Sequence, residues 1–181
     1  MSNFNVPTRE EVSSKNQAIF DNLERAVGFV PNLFATYAHS ENALENYLTF
    51  SNAKTSLNAK QKEVVNLAVS QVNNCIYCLS AHTAIGKMNG FTDEQILELR
   101  AGRASFDNKL DALARFAKNV TENRGRTDAD VLENLLSAGY TKGSVIDIIS
   151  LVGDKTISNY IHSTTQVPVD FPVAQPLEEL V

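Results

Sequence analysis

Residues 63–92 of the chain have the sequence EVVNLAVSQVNNCIYCLSAHTAIGKMNGFT. It contains the only two cysteines of the chain, Cys75 and Cys78, and one of its three histidines, His82. A helix is predicted over about 75–88, and on a helix with 3.6 residues per turn these three side chains stand at positions i, i+3 and i+7. Their functional groups are therefore predicted to share one helical face.

Local signals set the ends of this helix and of the one before it. The asparagines at 73–74 are typical of a helix N-cap, and the Asn-Gly pair at 89–90 ends a helix through the left-handed preference of glycine. The sequence NAKQ at 58–61 is a capping box, and the apolar periodicity that follows it continues to about Val72. Two helices joined by a short turn are predicted.

The short turn also predicts a partner for His82. If the two helices pack antiparallel, residues equally distant from the turn meet, and Glu63 comes to the level of His82 rather than of the cysteines. Glu63 is thus predicted to orient His82. Burial would raise the pKa of Glu63 and a cationic His82 would lower it, and the sequence does not decide between these effects.

Helical signals continue along the rest of the chain, and no segment shows a convincing strand alternation. A first helix is predicted to begin near Thr8 and end near Gly28. Further helix starts are predicted at Pro31, Ser40, Thr92, Asp107 or Asn108, Thr127 or Asp128, and Thr141. We therefore predict an all-α helical bundle, organised as a single domain over 1–181 with its core motif in 58–102.

The C-terminal tail, VPVDFPVAQPLEELV at 167–181, contains three prolines. Proline lacks the amide donor that helices and central strands require. The tail is therefore predicted to be extended and to lie over the surface or over a neighbouring subunit.

Composition argues against several classes of protein. The chain has 181 residues, 43% of them hydrophobic, which is enough for a buried core. Its formal net charge of -5 and its lack of a basic run argue against a nucleic-acid partner. No stretch has the pattern of a secretory signal or a membrane span, so we expect a cytoplasmic location and no membrane partner.

Residue chemistry alone leaves three interpretations of the cysteine pair. Residues three apart on a helix have Cα atoms roughly 5 to 6 Å apart, which a reversible disulfide tolerates, and the first helical turn favours the thiolate. The two cysteines could instead be small buried apolar side chains. A zinc ion could take Cys75, Cys78 and His82, but structural zinc sites normally have four ligands, and His39 and His162 are distant in sequence and expected to stand apart.

At these residues the sequence resembles the carboxymuconolactone decarboxylase and alkylhydroperoxidase D superfamily. The match carries the Glu, the Cys-x-x-Cys pair and the His of that family in order, with twelve residues from Glu63 to Cys75 and four from Cys78 to His82. Segments at 27–48 and 159–172 are similar to the flanking regions of the peroxidase-related branch of the superfamily.

The resemblance implies an all-helical, alkylhydroperoxidase D-like fold that assembles as a homo-oligomer, commonly a trimer or hexamer, without haem, flavin or metal. It implies a thiol-dependent hydroperoxide reductase in which Cys78 attacks the peroxide and becomes a sulfenic acid, and Cys75 then resolves it as a disulfide. Glu63 and His82 would relay the proton of Cys78. The implied partners are a hydroperoxide substrate and a dithiol reductant.

One position departs from the family pattern. Alkylhydroperoxidase D proteins carry a second histidine immediately before the second cysteine, and this chain has Tyr77 there. Because tyrosine is a poor base near neutrality, the resemblance predicts a shorter or slower proton relay, and the alternative is that Tyr77 serves packing.

Two other functions stay open. One is decarboxylation or ring-opening of a carboxymuconolactone-like substrate, which requires a basic pocket, whereas the helices near the motif offer few basic residues beyond Lys60, Lys62 and Lys87. The other is a redox-responsive protein in which the cysteine pair reports oxidation without turnover.

Overall fold

The chain is helical throughout the part that the structure describes. The computed structural model describes residues 4–177. Within that range there is no strand, and a 3-10 turn at Arg9–Glu11 precedes the α-helices. These helices are α1 (Ser14–Val27), α2 (Asn32–Tyr37), α3 (Ala43–Ser51), α4 (Ala59–Val72), α5 (Ile76–Met88), α6 (Asp93–Arg100), α7 (Asn108–Glu122), α8 (Ala129–Ser137) and α9 (Lys142–Thr165). The predicted all-α class is confirmed, and the single-domain organisation stays a prediction.

Helix α4 is the centre of the fold. It packs against α5, α6, α7 and α9, and its residues 63–70 are buried without interruption. A helix enclosed on all sides is apolar all round, which explains the continuous apolar content of this stretch. The polar residues in the run, Glu63, Asn66 and Ser70, are thereby placed in the interior.

The predicted helix starts are confirmed in most cases. Capping boxes form at Asn58 with Gln61, at Thr92 with Gln95 and at Thr141 with Ser144, and Asp107 caps α7. The N-terminal prediction is wrong by five residues. Thr8 and Glu11 do form a capping box, but it opens the short 3-10 turn, and the side chain of Ser13 caps α1.

The turn between α4 and α5 differs from the predicted one. Asn73 and Asn74 complete the end of α4, where Asn74 takes the left-handed conformation at φ 51° and the Cys75 amide donates to the Ser70 carbonyl at 3.0 Å. Cys75 itself is then the N-cap of α5. The predicted asparagine cap is wrong because asparagine tolerates the left-handed backbone that this helix end requires.

The C-terminal tail lies across α5 and the start of α2. The Ala174 amide donates to the Ser80 hydroxyl oxygen at 3.0 Å, and the Asn32 amide donates to Asp170 Oδ2 at 2.6 Å. Residues 167–177 have no regular secondary structure, which agrees with the predicted extended tail. The last four residues of that prediction, 178–181, lie outside the described residues.

Tyr77 joins α5, α2 and the tail. Its hydroxyl oxygen accepts the Leu33 amide at 3.2 Å, and its ring meets the Phe171 ring edge-on with centroids 5.7 Å apart. The side chain is buried. These contacts support the packing interpretation of Tyr77.

Between residues 4 and 177, no single helix has both the length and the apolar character needed to cross a membrane. Helices α8 and α9 meet that criterion only as a pair, which is bent by 118°.

We predict that Tyr77→Phe lowers the free energy of unfolding by about 1–3 kcal/mol, because the buried Leu33 amide loses its acceptor. Chemical denaturation measures this change. Tyr160→Phe is the matched control, since Tyr160 is 61% exposed, and it should change stability by less than about 0.5 kcal/mol. Equal stability of the two variants would contradict the anchoring role of the Tyr77 hydroxyl.

Candidate active site

The two cysteine side chains meet at the start of α5. Their Sγ atoms are 2.7 Å apart, both thiols are free, and a hydrogen bond joins the two sulfurs. Cys75 is 0% exposed and Cys78 is 2% exposed. The predicted convergence of the two sulfurs is confirmed, and both lie in a closed interior.

The surroundings of the pair place the negative charge on Cys75. The hydrogen bond from the Cys78 thiol is the largest of the effects that lower the pKa of Cys75 to about 5, although burial acts against it. A hydrogen bond from His162, the Cys78 amide at 3.3 Å and the charge of His162 act in the same direction. The hydrogen bond with Cys75 raises the pKa of Cys78, and burial raises it further.

Glu63 and His82 form a second pair, across the α4–α5 contact. The distance between His82 Nδ1 and Glu63 Oε2 is 2.7 Å, and Asn66 Nδ2 donates to Glu63 Oε1 at 3.0 Å. Burial raises the pKa of Glu63, but the charge and hydrogen bond of His82, with the Asn66 bond and the charge of Lys155, lower it overall. The predicted antiparallel register is confirmed, and the competition between burial and pairing is decided in favour of the carboxylate.

The Glu63–His82 pair and the dithiol are separate clusters in this structure. Within the described residues, no hydrogen bond joins His82 to either sulfur. His82 nevertheless follows Cys78 by four residues on α5, one helical turn away. The spacing therefore places the imidazole next to Cys78 along the helix, while its Nδ1 faces Glu63.

Helix α9, which packs against α4 and α5, supplies further polar groups near the dithiol. Lys155, Asn159 and His162 are buried at positions i, i+4 and i+7 of that helix. Asn159 Oδ1 accepts from Asn73 Nδ2 at 2.9 Å, and Asn159 Nδ2 donates to Ser70 Oγ at 3.3 Å. These bonds fasten α9 to the turn that positions Cys75.

The expectation that His162 stands apart from the motif is wrong. Although His162 is far from Cys75 along the chain, the packing of α9 against α4 and α5 brings the two residues close in space. The same packing brings in Lys155, a buried cation that an inspection of the helices next to the motif overlooks. The signal available in the sequence is the polar set at 155, 159 and 162, whose spacing marks one face of a helix.

The structure also gives the position of the remaining histidine and bears on the zinc interpretation. His39 lies elsewhere, with its Nε2 2.9 Å from the Asn5 carbonyl oxygen. Over residues 4–177, no three side chains of His, Cys, Asp or Glu are arranged to hold a metal ion. A zinc site built from Cys75, Cys78 and His82 has no support in this geometry.

Comparison with known proteins gives a family match and several related folds. Residues 38–123 match the model of the Carboxymuconolactone decarboxylase family. The uncharacterized protein YdfG of Bacillus subtilis (strain 168) is 21% identical over 118 residues, which cover 64% of this chain and 76% of that protein.

Solved structures share the fold over almost the whole chain. An uncharacterized peroxidase-related protein from Ralstonia eutropha JMP134, described as an alkylhydroperoxidase AhpD core, is 21% identical with a TM-score of 0.83, covering 92% of this chain and 91% of that one. An uncharacterized peroxidase-related protein from Silicibacter sp. TM1040 is 22% identical with a TM-score of 0.80, covering 91% and 89%. The debrominase Bmp8, solved with 2,3,4-tribromopyrrole, is 14% identical with a TM-score of 0.78, covering 92% and 91%.

Identities at this level demonstrate a common fold. The family match shows in addition that the sequence of the central helices is similar to that of the family. The match extends over α4 and α5, which carry the dithiol and the Glu63–His82 pair. Residues 38–123 thus match the carboxymuconolactone decarboxylase family, and the chain as described has the alkylhydroperoxidase D-like helical fold of the peroxidase-related proteins.

Proposed function

We propose that this protein is a thiol-dependent hydroperoxide reductase whose redox centre is the Cys75–Cys78 dithiol. The observation that supports this most strongly is the contact between the two sulfurs, 2.7 Å apart, with one thiol donating to the other. Two thiols in contact allow one to attack a peroxide and the other to trap the oxidised sulfur as a disulfide.

The proposed reaction has two steps. In the first, Cys78 attacks one oxygen of the hydroperoxide, an S–O bond forms, the O–O bond breaks, and the alcohol or water leaves after taking a proton. In the second, Cys75 attacks the sulfenic acid on Cys78, and a disulfide forms with the release of water. A dithiol reductant then returns both cysteines to thiols and becomes a disulfide itself. The assignment of Cys78 to the first attack follows the family resemblance.

The Glu63–His82 pair is proposed to move the proton of the first step. The carboxylate holds the imidazole at Nδ1, which leaves Nε2 free to face the reacting groups one turn from Cys78. A histidine oriented in this way carries the Cys78 proton to the leaving alkoxide. Tyr77 takes no part in this relay, because its hydroxyl oxygen is committed to the Leu33 amide.

The closed position of the dithiol sets a condition for this chemistry. Both sulfurs pack in one apolar cluster with residues of α1, α2 and α3 and with Val167 of the tail. A peroxide therefore reaches the dithiol only when one of these covering segments moves. Closure also keeps bulk water from the sulfenic acid until the second thiol has reacted.

Substitution of each cysteine tests the two-step reaction. With a hydroperoxide and a dithiol supplied, we expect the wild-type protein to consume peroxide and Cys78→Ser to be inactive. Cys75→Ser should form the sulfenic acid but fail to turn over. Peroxide consumption and mass spectrometry of a trapped sulfenic acid measure these outcomes.

Met88→Leu is the control for this experiment, because Met88 is 85% exposed and a thioether also reacts with peroxide. It should retain wild-type turnover. A wild-type rate no faster than that of Cys78→Ser would sink the proposed function. Loss of both free thiols without turnover would then favour a redox-responsive protein, and activity on a carboxymuconolactone-like substrate that survives both Cys→Ser changes would favour the decarboxylase.

Substitution of Glu63 tests the proton relay. Glu63→Gln should reduce peroxide turnover by about 10²-fold or more, because His82 loses the carboxylate that orients it. The count of free thiols should stay at two per chain. Glu133→Gln, an exposed change on α8, is the matched control and should leave turnover unaltered. Wild-type turnover in Glu63→Gln would remove this pair from the mechanism.

The amount of thiolate in the reduced protein should depend on pH. Because the pKa of Cys75 is lowered to about 5, the reduced protein should hold one thiolate per chain at neutral pH and lose it as the pH falls through about 5. Ultraviolet absorbance of the thiolate measures this titration. Cys75→Ser should remove the titration near pH 5, and a thiolate that appears only in the range of an ordinary cysteine, around pH 8 to 9, would contradict the arrangement described above.

A further inference from the structure

The mechanism above leaves one buried ionisable side chain at the dithiol without a role. His162 of α9 is 5% exposed and packs beside Tyr77, the residue before Cys78, close enough to Cys75 to lower the pKa of that thiol. An imidazole buried against a reacting sulfur is chemically competent to exchange a proton with it.

The position of the His162 ring is fixed from two directions. Its centroid lies 5.4 Å from that of Tyr77, at an interplanar angle of 40°, and Tyr77 is itself held by the Leu33 amide. One turn earlier on α9, Asn159 is bonded to Asn73 and Ser70. These contacts therefore hold the His162 side chain in position near Cys75.

We propose that His162 is a second acid–base residue of this site, which exchanges its proton with Cys75 during formation and reduction of the disulfide. The inference rests on the proposed function and adds to it a separate proton path for the second thiol. Cys75 has no access to solvent, so its proton requires a carrier inside the protein.

Cys75 has given its proton to His162, and the resulting thiolate attacks the sulfur of the Cys78 sulfenic acid. The S–S bond forms, the S–O bond breaks, and the departing hydroxide takes the proton from the imidazolium and leaves as water. When the external dithiol reduces the disulfide, it supplies two electrons and two protons. One proton returns to Cys78 and the other to His162, which again faces the Cys75 thiolate.

The electrostatic surroundings agree with this role. After the bond from the Cys78 thiol, the hydrogen bond and charge of His162 are among the causes that keep the pKa of Cys75 low. The titratable groups around this corner in the described structure are Cys75, Cys78 and Tyr77 on α5, Lys155 on α9, and Asp170 of the tail, which lies near Tyr77. Lys155 adds positive charge on the same side and favours the anionic form of the pair.

The test separates the two chemical steps in His162→Gln. With one equivalent of peroxide, the sulfenic acid on Cys78 should form within about threefold of the wild-type rate, whereas the disulfide should form about 10²-fold more slowly, so that the sulfenic acid accumulates. The thiolate titration near pH 5 should move upward. His39→Gln is the matched control, since His39 lies on another part of the molecule, and it should behave as wild type.

Other results of the same experiment overturn the proposal. Disulfide formation at the wild-type rate in His162→Gln excludes a proton-transfer role. An equal slowing of both steps, with an unchanged thiolate titration, indicates that His162 only supports the fold.

A second measurement covers the case in which His162→Gln does not fold. In the wild-type protein, the imidazole nitrogen shifts of His162 should report a cation in the reduced form and a neutral ring in the disulfide form, while those of His39 stay constant. Identical His162 shifts in both forms overturn the proposal. A wild-type protein that forms neither sulfenic acid nor peroxide-driven disulfide refutes the proposed function, whereas the shifts of the reduced protein still report on the His162–Cys75 pair.

Discussion

The site depends on the reversal of the chain between α4 and α5. Asn74 takes a left-handed backbone, the Cys75 amide closes the end of α4 on the Ser70 carbonyl, and α5 begins at once. This geometry makes a cysteine sulfur the cap of a helix, where the amide of Cys78 points at it. It also sets the antiparallel register that brings Glu63 to His82.

The interior around the dithiol contains charged groups of both signs from three helices. Carboxylate and thiolate come from α4 and α5, and Lys155 and His162 come from α9. A buried charge without a counter-charge costs several kcal/mol, so each of these groups makes the others tolerable in the core.

Tyr77 shows how a departure from the family pattern is absorbed. The position between the cysteines carries an anchor here, which holds α2 and the tail over the sulfurs through the Leu33 amide and the Phe171 ring. The ring of Tyr77 also supports that of His162. A side chain that takes no proton itself thus keeps the covering segments and a neighbouring imidazole in position.

The sequence alone predicts the helical class, most helix starts, the convergence of Cys75 with Cys78 and the contact of Glu63 with His82. These features follow from capping residues, helical spacing and a short turn, which act over a few residues or reflect one antiparallel contact. The tertiary structure alone decided that Cys75 is the cap and holds the charge, that Tyr77 packs, and that Lys155 and His162 stand beside the dithiol. Their roles depend on how α9 and the tail pack against α5, and such long-range contacts leave no periodic signal near the motif they complete.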